Sequence, residues 1–251
     1  MTLKAFELLE KKGFEKADGS WYELTSSIDK EEGLFLNKLI SENKPNRSLE
    51  IGCAEGISSM VICESIGPDG DHTILDPFQS TEWQNHGVNN LKKAGFNNFT
   101  IFEERSEFAL PRLASEGNKY DFVFVDGWHT FDHVLVEFFY INKMLNVGGV
   151  VAFDDAALTG LNRLMRFISN YPNYEIIGSV SDKYVSGQRK MLNVMKRTVN
   201  ALFSPLGTRL KQELLNDTVV RSDSALKIDG NVTAFKKTAE DDRGWAWYKP
   251  F

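Results

Sequence analysis

Five short apolar runs between residues 48 and 153 constrain the fold of this chain more than any other feature. Each run is rich in β-branched or aromatic residues and is bounded by turn residues, which is typical of a strand. The stretches between the runs are long enough for helices. Alternating strands and helices predict βαβ units and a parallel sheet, which binds ligands beyond the carboxyl ends of its strands. The runs cover residues 48–51, 72–75, 99–102, 122–125 and 150–153.

The spacing of apolar residues predicts further elements. A helix should follow Thr130, a suitable N-cap, and should end at Gly148-Gly149. Residues 1–45 have a helical pattern, and two more strands are predicted at residues 174–177 and 232–235. The core-facing side of the helix after Thr130 should consist of Phe131, Val134, Leu135, Phe138, Ile141 and Leu145. In the N-terminal part, the core-facing cluster should consist of Leu34, Phe35, Leu36, Leu39 and Ile40.

Composition narrows the class of protein. A chain of 251 residues with 42% hydrophobic and 25% charged residues can build one large α/β domain. The net charge of −6 argues against a nucleic-acid-binding protein. Cys53 and Cys63 do not suggest a disulfide framework, and the chain shows neither a signal pattern nor an apolar run near the ~20 residues of a membrane helix. These features predict a cytoplasmic protein without stable membrane insertion.

A glycine turn follows the first run. Glu50 lies in this run just before the turn, which contains Gly52 and Gly56. These glycines would let the backbone pass close to a ligand, and a helix should start near Ile57. The spacing E-x-G-x-x-x-G differs from the G-x-G-x-x-G spacing that seats a dinucleotide pyrophosphate. A nicotinamide oxidoreductase is therefore disfavoured. The alternative is a glycine turn made for packing only.

Asp76 ends the second run, 20 residues after Gly56. In Rossmann-like folds an acidic residue at about this distance accepts hydrogen bonds from ribose hydroxyls. A carboxylate offers two acceptor oxygens to two vicinal hydroxyls. The spacing therefore favours ribose binding over a solvated aspartate at a strand end.

Three aspartates follow the fourth and fifth runs. If these strands are neighbours, Asp126, Asp154 and Asp155 meet at one sheet edge and repel one another unless a proton or a cation lies between them. Oxygen ligands suit a hard cation such as Mg²⁺. His129 is nearby and is of the residue type that most readily exchanges a proton near neutral pH. The alternative is that Asp126 lines a metal-free pocket and that Asp154 or Asp155 only caps a helix.

Four segments, taken in order, resemble class I S-adenosylmethionine (SAM)-dependent methyltransferases: LEIGCAEG, ILDPF, YDFVFVDGWHTFDH and LNVGGVVAFDD. More narrowly, they resemble the metal-dependent small-molecule O-methyltransferases, which include catechol-type enzymes and bacterial enzymes that methylate sugar hydroxyls. The resemblance covers about residues 46–156 and the closing strand near residues 232–237. It implies a Rossmann-like α/β fold, with a seven-stranded, mostly parallel sheet, an antiparallel last strand and helices on both faces.

The resemblance also implies roles for single residues. SAM has no phosphate, so a looser glycine turn suffices for it. Asp76 would hold the ribose, and Ser106 with Glu107 would contact the adenine, although Ser106 can instead cap the next helix. Asp126 would take part in SAM binding, metal binding and catalysis. The reaction chemistry, and not the resemblance, makes His129 a candidate for the general base. The remaining implied residues are Glu50, Gly52 and Gly56 for SAM, and Asp154 and Asp155 for the divalent cation.

The chain departs from the family pattern at three positions. Catechol-type enzymes usually have Asn where Asp155 stands and Lys where His129 stands. Some sugar-type relatives use an Asp base at the position of Trp128. The extra carboxylate of Asp155 should favour metal binding and weaken the effect of the metal on a bound hydroxyl, and the identity of the base stays open.

We expect one methyltransferase domain with three parts. Residues 1–45 form a helical cap, residues 46–156 the SAM-binding core, and residues 157–251 a C-terminal part with an inserted basic helix at about residues 186–215 and closing strands. Residues 183–211 contain seven basic and no acidic residues. This pattern is typical of a lid or a subunit contact with a solvated basic face, or of a surface that binds a membrane or an acidic substrate. The aromatic tail either lines a substrate pocket or packs on the core; it contains Trp245, Trp247, Tyr248 and Phe251.

The sequence thus predicts a homodimeric enzyme that uses SAM and Mg²⁺, or another hard divalent cation, to methylate a hydroxyl of a small molecule of sugar or polyphenol type. A metal-independent methyltransferase, in which Asp126 or His129 acts directly, is one alternative. A non-catalytic SAM-binding module is another.

Overall fold

The structure is a computed structural model and describes residues 3–16, 18–180, 187–206, 215, 220–249 and 251. Its strands are β1 (Gly13–Glu15), β2 (Trp21–Glu23), β3 (Arg47–Ile51), β4 (Asp71–Leu75), β5 (Phe99–Phe102), β6 (Tyr120–Val125), β7 (Leu145–Phe153), β8 (Tyr174–Val180) and β9 (Val232–Lys237). Its helices are α1 (Ala5–Lys11), α2 (Lys30–Asn43), α3 (Ile57–Ile66), α4 (His86–Lys93), α5 (Ser106–Ser115), α6 (Phe131–Met144), α7 (Thr159–Ile168), α8 (Gly187–Leu202) and α9 (Asp223–Leu226).

Seven strands form the central sheet, in the order β5-β4-β3-β6-β7-β9-β8. Strands β3 to β7 pair in parallel, and β9 runs antiparallel to both of its neighbours. This confirms the predicted mostly parallel sheet with an antiparallel last strand. The order reverses between β3 and β6, because β4 and β5 lie on one side of β3 and β6 and β7 on the other. Such a switch point opens a crevice at the carboxyl ends of the two strands.

Alternate residues of the central strands pack on opposite faces of the sheet. On one face, Ile51 and Val125 join a core built with α5, α6 and α7. On the other face, Phe122 and Phe124 join a core built with α1, α2, α3 and α4. Helices therefore cover both faces of the sheet. Because both sides of the central strands are buried, the sequences of these strands are almost continuously apolar.

The N-terminal part differs from the all-helical prediction. Strands β1 and β2 form an antiparallel hairpin between α1 and α2. Gly13 is required there, because a Cβ at this position would lie 2.3 Å from the Tyr22 carbonyl oxygen. The predicted cluster on α2 is correct for Leu36, Leu39 and Ile40, but Leu34 is 51% exposed. Leu34, Phe35 and Leu36 are consecutive apolar residues, so the sequence alone could not show which of them face the core.

Helix α6 confirms the helix predicted after Thr130, although it ends earlier than expected. Its last residue is Met144, and Gly148 and Gly149 lie inside β7 instead of capping the helix. Gly148 has a φ of +89°, a conformation that glycine adopts readily, and it allows the chain to kink at the start of the strand. The strands predicted at residues 174–177 and 232–235 are confirmed as β8 and β9.

The C-terminal part holds α8, which lies within the predicted basic helix of about residues 186–215 and ends at Leu202; residues 181–186 and 207–214 lie outside the described residues. The aromatic tail divides in two. Trp247 packs on Tyr171 and Phe251 on Phe167, whereas Trp245 is fully exposed. Half of the tail therefore packs on the core. None of the helices in the described part of the chain is long and apolar enough to cross a membrane.

Candidate active site

A cavity of about 850 Å³ opens at the carboxyl edge of the sheet, where β3 and β6 diverge. This volume is within the usual range for a small-molecule site. Its walls come from the loops after β3, β4, β5 and β6 and from the N-terminal segment 26–28. Six of the residues predicted from the sequence line it: Gly52, Asp76, Ser106, Glu107, Asp126 and His129.

Gly52 forms the floor of the crevice. It has a φ of +91°, and a Cβ at this position would lie 2.0 Å from the Asp126 carbonyl oxygen. Only glycine lets β3 and the loop after β6 approach this closely. Gly56 has a φ of +83° and precedes α3, but a Cβ there would meet the backbone of Gly87 on α4. Gly56 therefore serves packing between helices in this structure.

Glu50 lies in the core and is not among the residues that line the cavity. Its Oε2 bonds to His72 Nε2 at 3.1 Å and accepts the hydroxyl hydrogen of Ser59. Its other oxygen, Oε1, is buried with no hydrogen-bond partner among the described residues. The structure thus places Glu50 behind the glycine turn, and direct contact with SAM stays a prediction.

Asp76 ties the end of β4 to the glycine turn. Its Oδ2 accepts hydrogen bonds from the backbone amides of Cys53 at 3.0 Å and Ala54 at 2.9 Å. The same oxygen accepts from the Gln79 side chain, and Oδ1 accepts from the amide of Phe78. The carboxylate is therefore fixed at the cavity wall, with unused acceptor capacity on Oδ1 for a ribose hydroxyl.

Three predicted carboxylates meet beside the cavity because β6 and β7 are neighbours, with Val125 in register with Phe153. The carboxyls of Asp126 and Asp154 lie close enough for their negative charges to repel each other. Burial, followed by the negative charge of Asp154, raises the pKa of Asp126 well above its usual range. Burial, followed by the charge of Glu32, raises the pKa of Asp154 to about 8. A proton or a cation offsets the repulsion in a cluster of this kind.

Asp155 and His129 complete the cluster. Asp155 has a φ of +51°, a left-handed conformation that Asn and Asp adopt more readily than most residues. His129 Nε2 lies 3.5 Å from Asp155 Oδ2 and 3.6 Å from Asp126 Oδ1. Burial lowers the pKa of His129, against a smaller opposing effect of Asp155. The imidazole is therefore neutral at pH 7 and able to accept a proton.

Two residues that sequence reasoning missed support Asp154 from behind. Asn231, just before β9, donates from its Nδ2 to Asp154 Oδ1 at 3.1 Å and to Glu32 Oε1 at 2.9 Å. Glu32 also accepts the amide of Asp29 and so caps α2. The contacts of Asn231 with Asp154 and Glu32 join residues far apart in the chain, and no local sequence pattern marks them.

Glu55 is a third missed residue. It is fully buried and accepts hydrogen bonds from the amide and hydroxyl of Thr25, both at 2.8 Å, and from the amide of Ser26. These bonds hold segment 26–28 against the cavity. An acidic residue inside the glycine turn, between Gly52 and Gly56, is the sequence signal that marks Glu55 as a candidate site residue.

Glu137 is a fourth missed residue. It lies on α6, lines the cavity and is almost fully buried. Ser106, at the start of α5, does not cap its helix but donates its hydroxyl hydrogen to Glu137 Oε1 at 2.6 Å. The alternative role of Ser106 as a capping residue is thus wrong. The signal in the sequence was a charged residue at a buried helical position, between Val134 and Ile141.

Comparison with known proteins shows which family the chain resembles. Residues 49–156 match the model of a methyltransferase domain. The probable caffeoyl-CoA O-methyltransferase 2 of Dictyostelium discoideum is 28% identical over 163 residues, which cover 62% of this chain and 66% of the relative. Caffeoyl-CoA O-methyltransferase 1 of Zea mays is 33% identical over 146 residues, which cover 56% of this chain and 54% of the relative. Over this part of its length, the chain is similar to SAM-dependent O-methyltransferases.

A solved structure has the same methyltransferase fold. The O-methyltransferase of Bacillus cereus, in complex with SAH (S-adenosylhomocysteine), is 17% identical, with a TM-score of 0.58 over 70% of this chain and 83% of that one. This likeness confirms the predicted Rossmann-like architecture. The matches to the two curated relatives span less than two thirds of the relatives' own lengths.

The carboxylate cluster fits a hard cation by its chemistry. Among the residues that the structure describes, no group of three or more His, Cys, Asp or Glu side chains is already arranged to hold a metal ion. Yet the buried carboxyls of Asp126 and Asp154 repel each other, a bound cation would offset this repulsion, and Asp155 lies beside them with a third carboxylate. This donor set suits Mg²⁺.

Proposed function

We propose that this chain transfers a methyl group from SAM to a hydroxyl of a small molecule, and that a divalent cation held by Asp126, Asp154 and Asp155 assists the reaction. One observation carries the proposal: the cluster of three aspartates and His129 borders a cavity built like a nucleoside site. The curated relatives and their caffeoyl-CoA O-methyltransferase names support the same chemistry.

SAM would lie along the carboxyl edge of the sheet. Asp76 would bind the ribose through its free acceptor capacity, and Ser106 with Glu107 would contact the adenine. Gly52 would let the methionine part pass over the ends of β3 and β6. The sulfonium methyl would then face the aspartate cluster, because Asp126 lines the cavity and also belongs to the cluster.

Methyl transfer breaks the bond between sulfur and methyl carbon and forms a bond between oxygen and that carbon. A neutral hydroxyl is a poor nucleophile, so its proton must leave. His129 can accept this proton because burial lowers its pKa, and Asp155 lies 3.5 Å away to stabilise the imidazolium that results. A bound divalent cation would supply Lewis-acid polarisation of the hydroxyl and would fix its orientation.

The acceptor that we propose is a sugar or polyphenol hydroxyl. Names of the relatives favour a polyphenol-type acceptor, and the exposed ring of Trp128 at the cavity provides an aromatic surface beside the aspartates. A catechol presents two adjacent oxygens, and both can bind one hard cation. We therefore rank catechols above isolated sugar hydroxyls.

The decisive experiment separates SAM binding from catalysis. Asp154→Ala should lower turnover by about 100-fold or more, because it removes a ligand of the cation, while SAH affinity changes little. Turnover is measured as SAH formation on a panel of catechols and sugars, and SAH affinity by calorimetry. Asp155→Asn is the matched comparison: it keeps an oxygen ligand at the same position but removes the charge beside His129, so it should lower turnover much less than Asp154→Ala.

Two outcomes would contradict the proposal. If chelation by EDTA leaves the wild-type rate unchanged, the chain is a metal-independent methyltransferase and the cation is removed from the mechanism. If SAH binds but no compound of the panel is methylated with Mg²⁺ present, the non-catalytic SAM-binding module replaces the enzyme.

A further inference from the structure

Glu137 has no part in the mechanism above, although it lines the cavity. It lies on the buried face of α6, where its neighbours Val134, Phe138 and Ile141 are apolar. Gly127 separates it from the floor of the crevice: a Cβ on Gly127 would lie 3.7 Å from Glu137 Oε1. A carboxyl group therefore sits directly behind the loop that follows β6.

The carboxyl is poorly compensated for its burial. Its Oε1 accepts one hydrogen bond, from the Ser106 hydroxyl at 2.6 Å, and its Oε2 is buried with no hydrogen-bond partner among the described residues. Burying a carboxyl group with one of its two oxygens left without a hydrogen bond is costly. A neutral residue would serve a purely structural contact between α5 and α6 at lower cost, so the carboxyl calls for a functional explanation.

Ser106 links this carboxyl to the ligand. A hydroxyl has one hydrogen to donate and two lone pairs to accept with. When Ser106 donates its only hydrogen to Glu137, it can offer nothing but lone pairs to a molecule in the cavity. The partner that fits a lone pair is a hydrogen-bond donor, and the exocyclic amino group of adenine is such a donor.

We propose that Glu137 fixes the hydrogen-bond polarity of Ser106 and thereby makes the cavity select adenine over purines that carry an oxygen at the same position. The proposal rests on the proposed function, because it requires the adenine to lie beside Ser106. Glu137 is a positioning residue, since it acts through Ser106 and needs no contact with the ligand.

The selection should depend on pH. Protonated Glu137 can donate to Ser106 Oγ, and the serine hydrogen is then free to turn toward the cavity and donate to an oxygen. Burial, with a smaller contribution from the charge of Glu107, raises the pKa of Glu137 to about 7. The ionised state that selects adenine therefore dominates above pH 7, and the selection weakens below it.

Other titratable and charged groups surround this site. His133, on the same helix, lies 3.5 Å from Ser106 Oγ and 3.3 Å from Glu107. Arg105 lies 3.8 Å from Glu107, and Asp126 borders the cavity beyond Gly127. His133 is a second ionisable side chain beside Ser106, so a test must separate its effect from that of Glu137.

The test compares two ligands at two pH values by calorimetry on the full chain. The ligands are SAH and S-inosylhomocysteine, in which a carbonyl oxygen replaces the adenine amino group. Wild type should prefer SAH by about 10-fold or more at pH 8.5 and by clearly less at pH 6. Glu137→Gln should show a smaller preference that is the same at both pH values, because the amide does not titrate.

The control variants are His133→Gln and Ser106→Ala. His133→Gln should keep the pH-dependent preference, and Ser106→Ala should lose the preference even where Glu137 is intact. The proposal is overturned if Glu137→Gln retains the wild-type preference with its pH dependence, or if His133→Gln alone abolishes that dependence. Failure of wild type to bind SAH at all would instead overturn the proposed function together with this inference.

Discussion

At the scale of single residues, Asp76 illustrates how one carboxylate serves both structure and binding. It holds the amides of Cys53 and Ala54, so it shapes the glycine turn while it faces the cavity. Because these bonds leave acceptor capacity only on Oδ1, the ribose must approach from that side.

We predict that Asp76→Ala weakens SAH binding by about 1–3 kcal/mol, the usual contribution of a charge-assisted hydrogen bond. Calorimetry measures the change. Asp71→Ala is the control, since Asp71 lies at the opposite end of β4 and is exposed; its SAH affinity should equal that of wild type. Unchanged affinity in Asp76→Ala would remove the ribose assignment.

Glu137 should also affect stability in a pH-dependent manner. Its pKa of about 7 in the folded chain exceeds the ordinary value of 4.5, so the folded protein retains a proton that the unfolded chain releases. The contribution of Glu137 to the free energy of unfolding is therefore fully present below pH 4.5 and is lost as the pH rises through 7. Between pH 5 and pH 8, wild type should therefore lose more stability than Glu137→Gln, by up to about 3 kcal/mol. Urea unfolding at both pH values tests this; equal losses in the two proteins would contradict it.

At the scale of elements, the closeness of β3 and the loop after β6 defines the site. We predict that Gly52→Ala destabilises the fold by more than 2 kcal/mol, roughly the cost of a positive φ alone, because its Cβ would lie 2.0 Å from the Asp126 carbonyl oxygen. Gly148→Ala is the matched control: Gly148 has a similar φ of +89°, but no atom lies within 4 Å of its added Cβ. Denaturant unfolding should show a clearly larger loss for Gly52→Ala. Equal losses would mean that backbone conformation, and not the close approach, makes Gly52 necessary.

At the scale of the whole molecule, α8 carries an exposed apolar face in a chain of net charge −6. Met191 is 59% exposed, Met195 55% and Leu202 73%. We predict that a second copy of the chain covers this face, and that light scattering at micromolar concentration gives twice the 28.5 kDa of one chain. The double variant Met191→Glu/Met195→Glu should be monomeric, and Trp245→Glu, in the exposed tail, should stay dimeric. A monomeric wild type would contradict the prediction.

The sequence by itself determined the strands of the central sheet and the sheet edge at which the aspartates meet. All five apolar runs are strands of the sheet, because short runs of β-branched and aromatic residues between turn residues are visible in a short window. The central strand β6 is the clearest case, since a strand buried on both faces must be apolar almost throughout. The aspartates after β6 and β7 meet because parallel strands end at the same sheet edge. The N-terminal hairpin was missed, because strands of three residues are too short to show a period.

Only the tertiary structure decided which polar residues act behind the site. Asn231 reaches Asp154, Glu32 reaches Asn231, and Glu137 reaches Ser106, across separations of 77, 199 and 31 residues. Each contact joins two elements whose packing depends on the whole sheet. A local pattern reveals what one element buries or exposes, but a hydrogen bond between elements depends on how both of them are placed. For the same reason, Glu50 could be recognised as part of the glycine motif, while its position behind the cavity emerged only from the packing of β3 against β4 and α3.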